Sequence, residues 1–159
     1  MTTAADWIAR LGLEPHPEGG WFRRIYTDSR VLATPGGDRA AASSIHYLLE
    51  RRSPIGRLHR NRSTILHYLQ HGGPVDYYLV EADGGLRTVT LGTAPGQQLF
   101  LEVPGGVWKA SQLPADVSHA LVSEVVLPGF DYADHDFMNL SQLAGEYPQH
   151  LQALSALVR

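Results

Sequence analysis

Between Trp21 and Leu127, turn-forming residues interrupt the chain so often that no crossover helix fits between successive extended segments. Parallel strands need a connection of about a dozen residues or more, usually helical, and none is available here. Many short strands joined by turns point instead to an antiparallel barrel or jelly roll. Residues 21–28, 43–49, 64–70, 75–81, 86–91, 98–103, 107–112 and 118–126 read as strands, and 58–60 begins another. Asp83-Gly84-Gly85 is hairpin chemistry, since glycine supplies positive φ without steric cost, and it should fold 86–91 back onto 75–81. Residues 34–39 and 91–98 read as loops.

The two ends differ. Thr3 and Asp6 have capping-box spacing, Trp7, Ile8 and Leu11 form an apolar stripe, and Gly12 is placed to end a helix over residues 3–11. Pro148 suits the first turn of a terminal helix over 148–158, with Leu151, Leu154 and Val158 on one face. That helix is expected to cover an opening or edge of the barrel. A length of 159 residues with no linker-like stretch predicts one domain over 1–159.

Composition narrows the function. No apolar run reaches the roughly 18 residues of a spanning helix, and no basic-then-apolar leader precedes the fold, so no membrane role is expected. The chain lacks cysteine, which fits the cytoplasm. With a formal charge of −3 and no basic stripe, no nucleic-acid partner is expected. Arg51, Arg52, Arg57, Arg60 and Arg62 make an anion-binding mouth only if their side chains converge. Otherwise they are a solvated edge.

Three strand-borne histidines are the first candidates for chemistry. His46, His59 and His67 meet if all face the interior, and imidazole moves protons near neutral pH or ligates metal. Each can equally be a packed, hydrogen-bonded side chain. Glu18, between Pro17 and Gly19-Gly20, is a carboxylate on constrained backbone, suited to proton transfer or to holding the N-terminal arm. Alternation places only one of Tyr77 and Tyr78 inside. Trp108 is either a ligand platform or core. Asp131, Asp134, His135 and Asp136 carry no metal motif; a single Asp orienting a histidine is the better functional reading.

The runs His16-Pro17-Glu18-Gly19-Gly20-Trp21-Phe22-Arg23, Leu58-His59-Arg60, Val103-Pro104-Gly105-Gly106-Val107-Trp108, Pro128-Gly129-Phe130-Asp131-Tyr132-Ala133-Asp134 and Tyr147-Pro148-Gln149-His150 resemble, in that order, the DUF985 or cupin-5 family. The resemblance spans most of the chain. It implies an all-β cupin double-stranded β-helix, a jelly-roll barrel with short N-terminal and C-terminal helices, and a homodimer. Metal-binding cupins offer two histidines and a glutamate in a first motif and a further histidine in a second. Here His59 matches the first histidine, Asn61 and Ile65 fall at the next two ligand positions, and Trp108-Lys109 replace the second motif's histidine. No metal and no cofactor are therefore expected.

The resulting expectation is a metal-independent acid/base enzyme acting on a small polar metabolite: an isomerase, epimerase, cyclase or lyase. His59, Glu18, Tyr77 and Tyr132 are its candidate catalytic residues. His59 would be the general base, either tyrosine the acid, and Glu18 an orienting group. His46, His67, Arg23, Trp108 and Asp134 are candidates for ligand contact. A non-catalytic binding module and a metal-dependent cupin are the alternatives.

Overall fold

The computed structural model describes residues 1–159. Its strands are β1 (Glu14–Pro15), β2 (Trp21–Thr27), β3 (Val31–Thr34), β4 (Gly37–Ala40), β5 (Ser43–Glu50), β6 (Ile55–Asn61) and β7 (Thr64–Gly72). After them come β8 (Val75–Val80), β9 (Leu86–Leu91), β10 (Phe100–Val103), β11 (Trp108–Gln112), β12 (His119–Leu127) and β13 (His135–Phe137). They form a six-stranded sheet in the order β1-β2-β5-β12-β7-β10 and a five-stranded sheet in the order β13-β6-β11-β8-β9. All pairings in both are antiparallel, as a jelly roll requires. The Asp83–Gly85 turn closes the β8–β9 hairpin, with Val80 opposite Leu86.

Between the sheets lies a core that includes Tyr47, Leu49, Tyr77, Leu79, Leu101 and Val122. Both outer faces are covered as well. Helix α1 (Ala4–Leu11) is closed by the expected Thr3–Asp6 capping box and by Gly12 at φ 64°. It lays Trp7, Ile8 and Leu11 over Leu48 and Leu121 on the outside of the six-stranded sheet. On the outside of the five-stranded sheet, Leu58, Trp108 and Ala110 pack against Met138, Leu143, Leu154 and Leu157.

That second cover corrects the reading of the C-terminus. It is not one helix over an opening. Helix α2 (Leu140–Glu146), capped by Asn139, is followed by a 3₁₀ turn at Pro148–His150, the single-turn α3 (Leu151–Leu154) and a second 3₁₀ turn at Ser155–Leu157. The pieces lie on a sheet face because Trp108 and its neighbours are an apolar stripe that needs burial. Residues expected as a loop form the β3–β4 hairpin instead.

Two β-bulges decide which side chains reach the interior. In β6, His59 opposes Lys109 while Gly56 opposes Ser111, so three steps along β6 match two along β11. The extra residue lets Leu58 face outward and His59 inward. In β2, Arg24 opposes Ile45 and Tyr26 opposes Ser44, so Ile25 is the extra residue. Simple alternation keeps Tyr26 beside Phe22 and Arg24. The bulge turns it out instead, and it is 53% exposed.

Candidate functional site

One row across the inner face of the six-stranded sheet carries polar side chains. The register aligns Arg24 with Ile45, Ile45 with Glu124, Glu124 with His67, and His67 with Leu101. The facing sheet contributes His59 and Lys109, directly opposite one another, and Asn61 opposite His135. These elements border a cavity of about 120 Å³. Its walls include Phe22, Ile45, Ile65, Val126, Phe130 and Tyr132, with Glu18, His59, Asn61, Glu124 and His135 among its polar lining and Arg24 at the exposed rim.

Glu18 enters the cavity from the loop before β2. Gly19 and Gly20 have φ of 99° and 75°, and a Cβ on Gly19 would lie 2.1 Å from the Ile55 carbonyl oxygen. Only glycine allows so close a pass. Hydrogen bonds then fix the loop: Arg57 N–H donates to the Glu18 carbonyl at 2.7 Å, and the Tyr47 hydroxyl donates to the Gly19 carbonyl at 2.6 Å. The Glu18 carboxylate ends 3.0 Å from His59 Nε2, and both side chains are buried.

The proton count at this contact follows from its partners. His59 Nδ1 lies 2.7 Å from the Arg57 carbonyl, which can only accept, so Nδ1 carries a proton. A neutral imidazole would then turn its Nε2 lone pair toward a carboxylate. One further proton between Nε2 and Glu18 turns that contact into a charge-assisted hydrogen bond. Burial pushes His59 below its ordinary pKa, while the Glu18 charge pulls it back up. Burial would raise the Glu18 carboxyl, but His59, His16, Lys109 and His135 together hold it below the usual range. His135 stacks on His59 with ring centroids 5.0 Å apart, and burial, reinforced by the neighbouring His59, lowers it to about 4.

Deeper in the barrel, Lys109 Nζ donates to His67 Nε2 at 2.7 Å and to Glu124 Oε1 at 3.3 Å. His67 Nδ1 donates to the Leu101 carbonyl at 3.2 Å, leaving Nε2 as the acceptor that lysine needs. Burial, with the Lys109 charge added, drives His67 down to about 3.

The candidates from sequence separate accordingly. Glu18, His59 and Tyr132 line the cavity. His67 faces inward but is fully buried against Lys109, and Tyr77, T-shaped to it at 5.3 Å, lies beneath the cavity instead of on its wall. Burial also pushes the Tyr77 phenol well above its usual value, so it is no ready proton donor. Arg23 and His46 oppose each other on the row that includes Ser123 and Tyr68, which points away from the cavity. Trp108 is core on the outer face, one residue out of phase with Lys109, with the Arg60 guanidinium over its ring. Asp134 accepts two hydrogen bonds from Arg39, at 2.8 and 3.0 Å, and clamps β4 to the loop before β13. The arginine cluster disperses: Arg52 approaches Glu50, Arg60 meets Asp136, and Arg57 reaches the Val158 carbonyl. Glu124 and Lys109 were not read from sequence as site partners. Their signal was available: each is the one Asp, Glu, Lys or Arg in its strand.

A metal at the positions implied by the motif resemblance does not fit. Ile65 has no donor atom, and the Lys109 ammonium has no lone pair and is spent on His67 and Glu124. A different set, Glu18, His59 and His135, has ligand atoms within 4.8 Å of one another, and His135 Nε2 is buried without a hydrogen-bond partner. Those three residues could hold an ion, in place of any proton between Glu18 and His59.

Comparison with known proteins gives the same fold and no settled activity. Residues 5–138 match the family described as "Cupin superfamily (DUF985)". A Saccharomyces cerevisiae protein described as uncharacterized, YML079W, is 38% identical over 149 residues, covering 84% of this chain and 72% of the yeast protein. The solved structure of a hypothetical protein from Leishmania major superposes with a TM-score of 0.93 at 32% identity, covering 98% of each chain. Protein SO0799 from Shewanella oneidensis superposes with a TM-score of 0.90 at 30% identity, covering 100% of this chain and 99% of its own. Oxalate decarboxylase from Bacillus subtilis shares the fold alone, with a TM-score of 0.58 at 14% identity over 90% of this chain and 36% of that one. The motifs, the jelly roll and these matches agree: the chain belongs to the DUF985 family of the cupin superfamily.

Proposed function

We propose that this cupin is a small-molecule enzyme that moves protons within one small polar metabolite, as an isomerase, epimerase, cyclase or lyase does. One observation carries the reading: a buried carboxylate and a buried imidazole meet at 3.0 Å at the wall of a cavity, close enough to pass a proton between them. With Glu18 as carboxylate and His59 as imidazolium, Glu18 takes a proton from substrate carbon while His59 Nε2 delivers one to oxygen or to a second carbon. Transfer between Nε2 and the carboxylate then restores the pair. No external oxidant, reductant or cofactor enters that balance. Tyr132, an exposed residue of the cavity wall, would cover the substrate and offer a hydroxyl.

Solvent exchange tests this before any substrate is known. A proton-transfer enzyme incubated in D₂O with a small-metabolite extract should give a metabolite whose mass rises by one unit per exchanged C–H. His59→Gln keeps size and hydrogen bonding, so folded variant should lose that exchange by about 10²–10⁴-fold. Exchange at the parent rate in folded His59→Gln, or no exchange with the parent protein, would defeat the proposal.

A second reading is favoured by the unpartnered His135 Nε2. Glu18, His59 and His135 together would hold a divalent transition metal, which acts as a Lewis acid when bound. Elemental analysis of untagged protein separates the two. About one equivalent of metal per chain, lost in His59→Gln, selects the second.

A further inference from the structure

We infer that the cavity is built for a planar, monocyclic carboxylic acid that also carries a hydrogen-bonding group, best a hydroxyl. This rests on the reading of the cavity as a small-metabolite site and narrows what that metabolite is. Size sets the first limit. An enclosed cavity of about 150 Å³ holds one benzene ring, so about 120 Å³ takes no more than a single small ring, with its substituents reaching past the apolar slot. A nucleotide or a sugar nucleotide is larger than that.

Wall chemistry sets the second. Phe22, Phe130, Ile45, Ile65 and Val126 offer apolar surface, and Phe130 is held edge-on to Tyr132 at 4.8 Å between ring centroids. Such walls favour a flat ring over a polyhydroxylated sugar, whose hydroxyls would be left without partners.

Two polar groups on the wall set the third. Arg24 at the rim makes no ion pair, and its one hydrogen bond, to the Phe130 carbonyl, is long at 3.4 Å. A free guanidinium fork beside an apolar slot matches a carboxylate in two parallel hydrogen bonds. Elsewhere on the wall, Asn61 is 6% exposed and its Oδ1 is buried with no hydrogen-bond partner. A buried amide left so is a standing cost of about 1–3 kcal/mol in the empty protein. It is explained if a ligand supplies what the protein does not. A hydroxyl satisfies either orientation of the amide, since it both donates and accepts.

Three probes and two variants test this by calorimetric titration of the full chain. 4-Hydroxybenzoate carries both groups, benzoate lacks the hydroxyl, and phenol lacks the carboxylate. We expect 4-hydroxybenzoate to bind at least tenfold more tightly than either. Arg24→Gln should abolish its advantage over phenol while keeping its advantage over benzoate. Asn61→Leu should do the reverse, and its melting temperature should not fall, because an orphaned amide gives way to an apolar side chain of similar size. Equal binding of the three probes, no binding of any, or selectivity unchanged in both variants overturns the inference. Neither variant alters Glu18 or His59. Failure of solvent exchange with intact probe selectivity therefore defeats the proton-transfer reading alone, and the opposite result defeats only the ligand class.

Discussion

Replacing Lys109 by Met should be among the most damaging single changes that leave the backbone untouched. Lys109 is 3% exposed and its ammonium serves two buried acceptors: Glu124, 5% exposed, and His67, fully buried. Methionine fills the same volume, so no cavity confuses the result. What is lost is the partner of a buried carboxylate, and breaking such a pair costs about 3–5 kcal/mol. Against a total stability of about 5–15 kcal/mol, that is a large fraction. For a chain of this size each kcal/mol moves the melting temperature by about 2–4 °C, so the drop should be about 6–20 °C. Thermal and urea unfolding at pH 7, followed by circular dichroism, would measure it. The double variant Lys109→Met/Glu124→Gln removes the stranded charge and leaves an amide able to donate to His67 Nε2, so it should recover about 2 kcal/mol or more relative to the single variant. A single-variant cost under about 1 kcal/mol, or a double variant as unstable as the summed single changes, would show that the network is not the buried, mutually dependent unit described.

Stability should fall as pH drops from 6.5 to 5, before carboxylates begin to titrate. His67, facing Lys109, Glu124, Tyr77 and His59, is held neutral with its pKa near 3, and His135 with its pKa near 4. Their contribution is complete above the unfolded value of about 6.5 and is lost toward the folded values, at about 1.4 kcal/mol per pH unit for each proton. Urea unfolding at pH 7, 6 and 5 checks this: a flat profile contradicts it, and His67→Gln should reduce the slope by about one proton. Gly19→Ala places a methyl against the Ile55 carbonyl at a φ of 99°, so it should cost about 1–3 kcal/mol and withdraw Glu18 from His59. Its melting curve and its solvent exchange should both suffer, and a variant unchanged in both refutes the loop's role. Arg23→Ala and His46→Ala lie on the outward row and should stay within about 0.5 kcal/mol of the parent with probe binding unaltered.

What the sequence revealed followed local chemistry. The capping box at Thr3–Asp6, the left-handed Gly12, the Asp83–Gly85 turn and the strand Leu86–Leu91 are each encoded within a few residues and appear as expected. The errors come from features that depend on distant partners. No alternation marks Val31–Thr34 or Gly37–Ala40, which pair only with each other. His135–Phe137 is too short to carry a period and becomes a strand because β6 offers it an edge. Two bulges, invisible to counting by twos, moved Tyr26 out of the interior and set His59 inward opposite Lys109. Arg23, His46 and Trp108 were chosen for residue type, and the sheet registers turn all three away from the cavity. Asn139, capping α2, was legible and passed over. Glu124 was the largest omission: a lone carboxylate in the run Ala120–Leu127 should have raised the question of its counter-ion.

Charge balance connects the interior network to the metal question. Two carboxylates, Glu18 and Glu124, are buried in the barrel. Lys109 neutralises Glu124, and in the proposed proton-sharing state the proton between His59 and Glu18 neutralises Glu18, whichever atom carries it. In that state the interior is electroneutral without an ion. Putting a dication in place of that proton leaves one uncompensated positive charge, close enough for Lys109 to act on Glu18, His59 and His135. An unbalanced charge in a low-dielectric interior is costly, so Lys109 should oppose metal binding at Glu18–His59–His135. Lys109→Met reverses the sum, because two carboxylates then balance one dication. Zinc or cobalt added to that variant should raise its melting temperature by more than it raises the parent's, by mass action on the folded state. Cobalt should also give a visible absorption band that Lys109→Met/His135→Ala does not. Tighter metal binding by the parent than by Lys109→Met would refute the argument and move the site to the metal reading.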